Sequence, residues 1–249
     1  IFQQYGATFS HLILIPNLFG LGSLWVSARD LGGVLGLEVR QRLLLRGPRL
    51  VKRCLDLLLV VLTLPLALLV GGGIALMIRL DSPGPLLYSQ ERIGYGGRRF
   101  RAWKFRSMVR DADAMLERYL KEHPELRQEW EQDHKLRDDP RVTRIGSLIR
   151  KTSLDELPQL WNVLRGEMSL VGPRPIVQAE VIRYGGQFSL YLQVMPGLTG
   201  LWQVSGRNDT GYQERVSLDA YYVRNWSVWL DIYIIARTFW AVLFARGAY

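Results

Sequence analysis

The chain has 249 residues and a single cysteine, Cys54, so no disulfide can close within it. A reducing, cytoplasm-facing setting fits that scarcity. Histidine is scarce too. His11, His123 and His134 are scattered and form no zinc pattern. There is no Walker P-loop, no glycine fingerprint of a dinucleotide-binding fold, no internal repeat and no low-complexity tract. Acidic residues are in deficit, 23 against 32 Lys plus Arg, which gives a formal charge of +9. A basic surface suits nucleic acid, anionic lipid headgroups or phosphorylated substrates, and composition does not choose among them. Eight Trp and eleven Tyr tilt the choice toward membrane interfaces and stacking sites.

A further absence is more telling. Residues 57–78 contain no charge across 22 positions. At about 1.5 Å per residue, a helix of that length covers a bilayer core of roughly 30 Å. The segment is internal and lacks a small-residue cleavage pattern, so it is not a signal peptide. A core helix this long usually carries a polar face. Pro65, near the middle, removes a backbone donor and bends a helix. Lys52 and Arg53 precede the run and Arg79 follows it, so the positive-inside rule gives no orientation. A kinked span and a helix that enters, breaks at Pro65 and returns to the same face are both consistent with this.

Residues 1–48 read as the remnant of a preceding α/β domain, with the true N-terminus expected to lie upstream of Ile1. A short strand is expected at 11–16, a turn at Leu31-Gly32-Gly33, another strand at 37–45 and a boundary at Gly47-Pro48. Asp81-Ser82-Pro83-Gly84-Pro85 ends the apolar segment as a turn. Residues 86–108 read as a basic hairpin around 94–97, and 109–136 as an amphipathic helix broken near Pro124. Asp138-Asp139-Pro140 is a loop, 150–165 a turn and short helix, and Gly172-Pro173-Arg174-Pro175 a rigid turn. Residues 196–206 form a Gly-punctuated loop or short strand, and 212–244 an unusually aromatic helical region.

The stretch Ser153-Leu154-Asp155-Glu156-Leu157-Pro158 carries the chemistry. Ser153 and Glu156 match a capping box, and Asp155 as the cap instead would put Pro158 in the first turn, where it is tolerated. Either way Asp155 and Glu156 are expected at a helix N-terminus, where the dipole favours a carboxylate and free N–H groups attract phosphate. An ionised carboxylate beside a phosphate can attack phosphorus. Arg144, Arg150 and Lys151 precede the pair. Arg174 follows, stiffened by two prolines and suited to bidentate phosphate contact. The hairpin adds Arg92, Lys104 and Arg106. Asp231, alone in the apolar run 226–235, reads either as an exposed helix residue, which the residues alone favour, or as a further site carboxylate.

Several segments, taken in order, resemble the monotopic phosphoglycosyl transferases: Lys52-Arg53-Cys54-Leu55-Asp56, 90–94, 104–108, 151–165, 169–175, 196–207 and Gly247-Ala248-Tyr249. The likeness is strongest to the large bacterial galactose-type members, in which a Rossmann-like domain precedes the catalytic part, and it implies that 1–48 are the C-terminal remnant of that domain. It implies an α+β fold: a re-entrant membrane helix at about 54–79, broken at Pro65, and amphipathic interfacial helices around a small catalytic core spanning 49–249. It implies a bacterial inner-membrane location with the catalytic part on the cytoplasmic face. The implied reaction moves hexose-1-phosphate, galactose-1-phosphate above others, from a UDP-sugar to undecaprenyl phosphate and releases UMP. Asp155 is then the nucleophile of a phosphosugar–aspartyl intermediate and a Mg²⁺ contact. Glu156 positions metal or assists acid–base chemistry, and Arg92, Lys104, Arg150, Arg174 and Asp231 bind substrate. O-antigen or exopolysaccharide synthesis, no nucleic acid, and room for a homodimer complete the expectation. At the break, many members carry Ser-Pro where this chain has Leu64-Pro65, and Thr63 is the candidate substitute for the serine hydroxyl. The competing readings are a glycosyltransferase that moves the sugar alone and a basic membrane scaffold without catalysis.

Overall fold

The computed structural model describes residues 25–32, 34–127, 130, 136, 139–205 and 211–243. The strand expected at 11–16 and the motif ends at 206–207 and 247–249 lie outside them. The chain divides into two compact units at Arg40/Gln41. In the first, strands β1 (Val26–Asp30) and β2 (Leu35–Val39) pair antiparallel, with Val26 opposite Val39. Gly32, with φ +74°, supplies the left-handed residue of the turn between them.

In the second unit a 3-10 turn, Arg42–Leu44, stands where the strand expected at 37–45 would have continued, and leads into helix α1, Arg46–Asp81, 36 residues long. Gly47 and Pro48 do not interrupt it; they lie in its first turn, where a missing N–H is harmless. Nor does Pro65 break it, for α1 runs on through that residue. The Thr63 hydroxyl donates to the carbonyls of Leu59 (2.8 Å) and Val60 (3.2 Å). It does not take up the Val61 carbonyl, the one that Pro65 leaves without its helical donor.

One stripe of α1 packs on the rest of the unit. Val60 joins Phe100, Ala102, Leu160, Val163 and Met168. Ile74 and Ile78 join Ile149, with Leu154 and Leu157 against them. The opposite stripe is open: Leu58, Leu62, Leu66, Leu69, Leu76 and Leu80 are 55–79% exposed. Their spacing places them on one helical face.

The basic hairpin forms as its sequence predicts. Strands β3 (Leu87–Ile93) and β4 (Arg99–Phe105) pair with Tyr88 opposite Lys104 and Arg92 opposite Phe100. Tyr88, Gln90 and Arg92 therefore share a face with Lys104. Helix α2 (Ala112–Glu122) stops just before Pro124. Helix α3 (Arg144–Lys151) is capped by the Thr143 hydroxyl, which accepts the Gly146 N–H. Helix α4 (Gln159–Arg165) ends on left-handed Gly166.

Asn162, fully buried in α4, accepts the Trp103 N–H and donates to the Arg101 carbonyl. This staple fixes α4 against β4, and hence the turn before α4 against Lys104. Two three-residue strands, β5 (Ser169–Val171) and β6 (Gly197–Thr199), run parallel. A Cβ on Gly172 would lie 2.6 Å from the Met195 carbonyl, so only glycine allows this approach. Short helices α5 (Val181–Tyr184), α6 (Phe188–Tyr191) and α7 (Leu201–Ser205) lead to α8 (Tyr212–Asn225) and α9 (Val228–Leu243). The last two are separate helices, parted at Trp226-Ser227.

Candidate active site

Asp155 does not sit at an α-helix N-terminus. Leu154–Glu156 is a single 3-10 turn, and α4 starts only at Gln159 with Pro158 in the cap position. Ser153 makes no side-chain cap bond, so the expected capping box is absent. Instead Ser153 is left-handed, φ +55°, the one such non-glycine among the described residues. That conformation costs roughly 1–2 kcal/mol for an ordinary residue. It reverses the chain after α3 and points the next side chains back toward the hairpin. Leu154 and Leu157 drop onto Ile74, Ile78 and Ile149, which anchors the turn directly on α1.

The Asp155 carboxyl is buried, and Lys104 and Arg150 are the cations facing it. Lys104 Nζ stands 3.6 Å from Asp155 Oδ2 and 2.6 Å from Glu156 Oε1. Burial pushes the Asp155 carboxyl above the usual carboxylate range; Lys104 and Arg150 pull it down, and Glu156 pushes it up. The balance thus differs from the one expected from the sequence. Two side-chain cations, not a helix dipole, hold the charge against desolvation. Arg150, in the last turn of α3, is itself oriented by donating from Nε to Ser107 Oγ at 2.7 Å.

Arg92 and Arg174 form a second group. Arg92 donates to the Pro175 carbonyl (3.0 Å) and to Gln90 Oε1 (2.6 Å). Burial first, and then the positive charge of Arg174, disfavour its protonated form. Glu180 Oε2 lies 3.6 Å from Arg92 Nη1, so the two guanidiniums are set against one carboxylate and keep a net positive charge suited to an anion. Arg174 is exposed, its Cζ 5.7 Å from the Trp202 ring centroid, with Arg215 at 5.0 Å from the same ring. Arg92 lies four residues along the strand from Tyr88, about 13 Å away. Lys104, paired with Tyr88, and Arg92 therefore lie at the two ends of one hairpin face.

Two residues of the expected basic patch and site go elsewhere. Arg106 clamps the exit of α1, donating to the Ser82 and Pro83 carbonyls. Asp231 is neither exposed nor in contact with the Asp155 group. It is buried and accepts from Lys52 Nζ (2.7 Å), the Tyr222 hydroxyl (2.7 Å) and Trp226 Nε1 (3.0 Å). Asp56, one turn from Lys52, accepts from Ser169 Oγ (2.7 Å) and the Leu170 N–H (3.1 Å). This buried network ties the start of α1 to β5, α8 and α9. Its sequence signal was Asp56 itself, a charge at the edge of an apolar helix with Lys52 four residues earlier on the same face. Tyr222, Ser169 and Trp226 carry no such signal.

Among the described residues no group of three or more His, Cys, Asp or Glu is placed to hold a metal. The adjacent carboxyls of Asp155 and Glu156 fit an ion that keeps most of its waters and is shared with substrate phosphates, the usual Mg²⁺ arrangement.

Residues 47–245 match the family model described as bacterial sugar transferase. The chain is 49% identical over 234 residues to the UDP-galactose-lipid carrier transferase of Erwinia amylovora, covering 93% of this chain and 48% of that one. It is 47% identical over 202 residues to the exopolysaccharide production protein ExoY of Sinorhizobium fredii, covering 80% and 88%. It is 47% identical over 216 residues to the undecaprenyl-phosphate galactose phosphotransferase of Salmonella typhimurium, covering 87% and 45%. The chain spans about half the length of the two galactose-type relatives and most of the length of ExoY.

Proposed function

This chain belongs to the bacterial sugar transferase family, and from that membership we propose that it transfers galactose-1-phosphate from UDP-galactose to undecaprenyl phosphate. The observation that carries the reading is Asp155: a buried carboxyl faced by Lys104 and Arg150, in a turn seated on the long apolar helix.

In the proposed first step an Asp155 carboxylate oxygen attacks the sugar-bearing phosphorus. The bond from that phosphorus to the bridging oxygen breaks, and UMP leaves with the electron pair. Arg92 and Arg174 hold the diphosphate, and Lys104 and Arg150 offset charge on the transferring phosphoryl group. In the second step an oxygen of the lipid phosphate attacks the same phosphorus and releases the Asp155 carboxylate. The product is a lipid diphosphate sugar. Asp155 and Glu156 would hold a magnesium ion, which supplies neutralisation of the diphosphate when bound.

The α1 geometry supports a membrane location. Six exposed leucines on one face, at about 1.5–3 kcal/mol each on withdrawal from water, favour burial in lipid by on the order of 10 kcal/mol. Residues near both ends of α1 pack on the same folded unit, Lys52 against Asp231 and Ile78 against Ile149. That supports a helix lying along the membrane from one side, its open leucine face in lipid, with both ends on the cytoplasmic face of the inner membrane. Exposed Trp229, Tyr233 and Trp240 on α9 suit the interface beside it.

The test is the nucleotide product. Purified chain in detergent with magnesium and UDP-galactose should release UMP. Release of UDP would instead mark a transferase that moves the sugar alone.

A further inference from the structure

The hairpin and the arginine turn meet at one interrupted pair of residues. Ile93, the last residue of β3, stands opposite Ile176, which follows the turn. The Ile93 N–H donates to the Ile176 carbonyl at 2.9 Å. In an antiparallel pair of this kind the two residues exchange both bonds. Here the return bond, from the Ile176 N–H to the Ile93 carbonyl, is not made directly. The Tyr191 hydroxyl stands in its place. It accepts from the Ile176 N–H at 3.3 Å and donates to the Ile93 carbonyl at 2.6 Å.

That hydroxyl has little freedom to leave its position. Tyr191 ends α6 and is 2% exposed. It shares a buried cluster with Ile93, Ile176, Tyr184 and Val216. The Tyr184 ring lies edge-on to it, 5.3 Å between centroids, and is itself held by donating to Asp219 Oδ2 at 2.8 Å. The Leu192 carbonyl, one residue on, accepts the Gly96 N–H of the hairpin turn at 2.8 Å. The arginine turn is fixed on its other side. Gly172 N–H donates to the Thr199 carbonyl (2.9 Å), and Gly197 N–H donates to the Pro173 carbonyl (2.8 Å). Both guanidiniums flank the interrupted pair. Arg92 precedes Ile93 and reaches across to the Pro175 carbonyl, and Arg174 lies two residues before Ile176.

We propose that Tyr191 is a positioning residue for the diphosphate site: its hydroxyl, inserted between Ile93 and Ile176, spaces the Arg92 end of β3 from the turn that carries Arg174. The proposal rests on the phosphate-binding reading of those two arginines. A direct bond would draw the Ile176 nitrogen and the Ile93 oxygen to about 2.9 Å. With a further oxygen between them the pair stands wider at that edge, and the guanidiniums beside it are set apart to match. A buried N–H or carbonyl without a partner is costly, so removal of the hydroxyl drives the pair to close. The two arginines then no longer match one diphosphate.

The experiment measures the Kd of UDP-galactose by calorimetry, in detergent with magnesium and in an Asp155→Asn background that prevents turnover. Tyr191→Phe keeps the ring and removes the hydroxyl. It should weaken binding about fivefold, the equivalent of about one hydrogen bond. Arg174→Ala should weaken binding as well. Added to Arg174→Ala, Tyr191→Phe should cost less than about twofold more, because one of the two groups it spaces is gone. A merely structural role would lower thermal stability and leave the same loss of affinity in place with or without Arg174.

A folded Tyr191→Phe with undiminished affinity overturns the proposal, and so does a loss that persists in full beside Arg174→Ala. If Arg92→Ala or Arg174→Ala binds normally, the phosphate-binding reading fails and takes the proposal with it. Should Tyr191→Phe fail to fold, amide hydrogen exchange in the Asp155→Asn chain decides. Saturating UDP-galactose should slow exchange at Ile176 about fivefold or more, since a ligand that spans both arginines holds the inserted hydroxyl in place. Unchanged exchange there is the contradicting result.

Discussion

Lys104 sits 1.0 Å nearer to Glu156 than to Asp155, with Nζ–O distances of 2.6 and 3.6 Å. The cation that offsets the charge of the proposed nucleophile is thus shared with a neighbour that competes for it. Asp155 is raised by burial, so it is ionised only above its shifted midpoint, and turnover should rise with pH through a limb above the ordinary carboxylate range. Glu156→Gln removes the negative neighbour and frees Lys104, so it should move that limb to lower pH. Lys104→Met should move it to higher pH and lower kcat about 10- to 100-fold. Initial rates of UMP release across pH 5–9 decide it; shifts of the same sign in both variants would contradict the shared-lysine account.

The same burial gives Asp155 a cost in stability. A carboxyl with a raised folded-state midpoint binds protons more readily folded than unfolded, so stability falls as pH rises from the unfolded midpoint to the folded one. Above the folded midpoint that cost is present in full. Asp155→Asn should therefore raise the thermal midpoint at pH 8, by about 2–4 °C for each kcal/mol recovered. It should also lower UMP release about 10³-fold or more. An inactive variant that is also less stable at pH 8 would assign Asp155 a structural role.

The pair Lys52–Asp231 is buried on both sides, with side-chain exposures of 7% and 8%. Removing one partner leaves a buried charge uncompensated. Asp231→Leu should cost about 3–5 kcal/mol, and Lys52→Met/Asp231→Leu together should cost less than the single change. Denaturation of the single and double variants measures the coupling. A double variant worse than the sum of its parts would show that the ion pair is not what joins α1 to α9.

The leucine stripe on α1 makes a separate claim. Leu66→Asp with Leu69→Asp should reduce the fraction of chain that floats with phospholipid vesicles about tenfold or more, since an acidic residue at the apolar centre costs about 2.5–3.5 kcal/mol. The folded unit should persist, because both side chains face away from it, at 65% and 76% exposed. Undiminished flotation would place the membrane contact elsewhere.

The long helix, the hairpin and the arginine turn were legible because their signals are local. An uncharged run, turn glycines between strands and a Pro-Arg-Pro step each fit inside one short window. What was not legible depends on contacts remote in sequence. Lys52 and Asp231 are 179 residues apart, and Tyr184 and Asp219 35 apart. Strands β5 and β6 have three residues each, too few for alternation to show. Ser153 misled because a serine three residues before a glutamate fits a capping box. Its left-handed backbone, set by the packing of Leu154 and Leu157 on α1, removed the helix end that a cap requires. Asp155 stays the proposed nucleophile, with two side-chain cations rather than a helix dipole set against its burial.

The most direct test of the central claim is intact-mass and peptide mapping of the chain after brief exposure to UDP-galactose and magnesium without lipid acceptor. The account predicts a gain of one hexose phosphate on the peptide containing Asp155, matched by an equal amount of UMP and absent in Asp155→Asn. UMP release with no adduct, or an adduct that survives in Asp155→Asn, would contradict it.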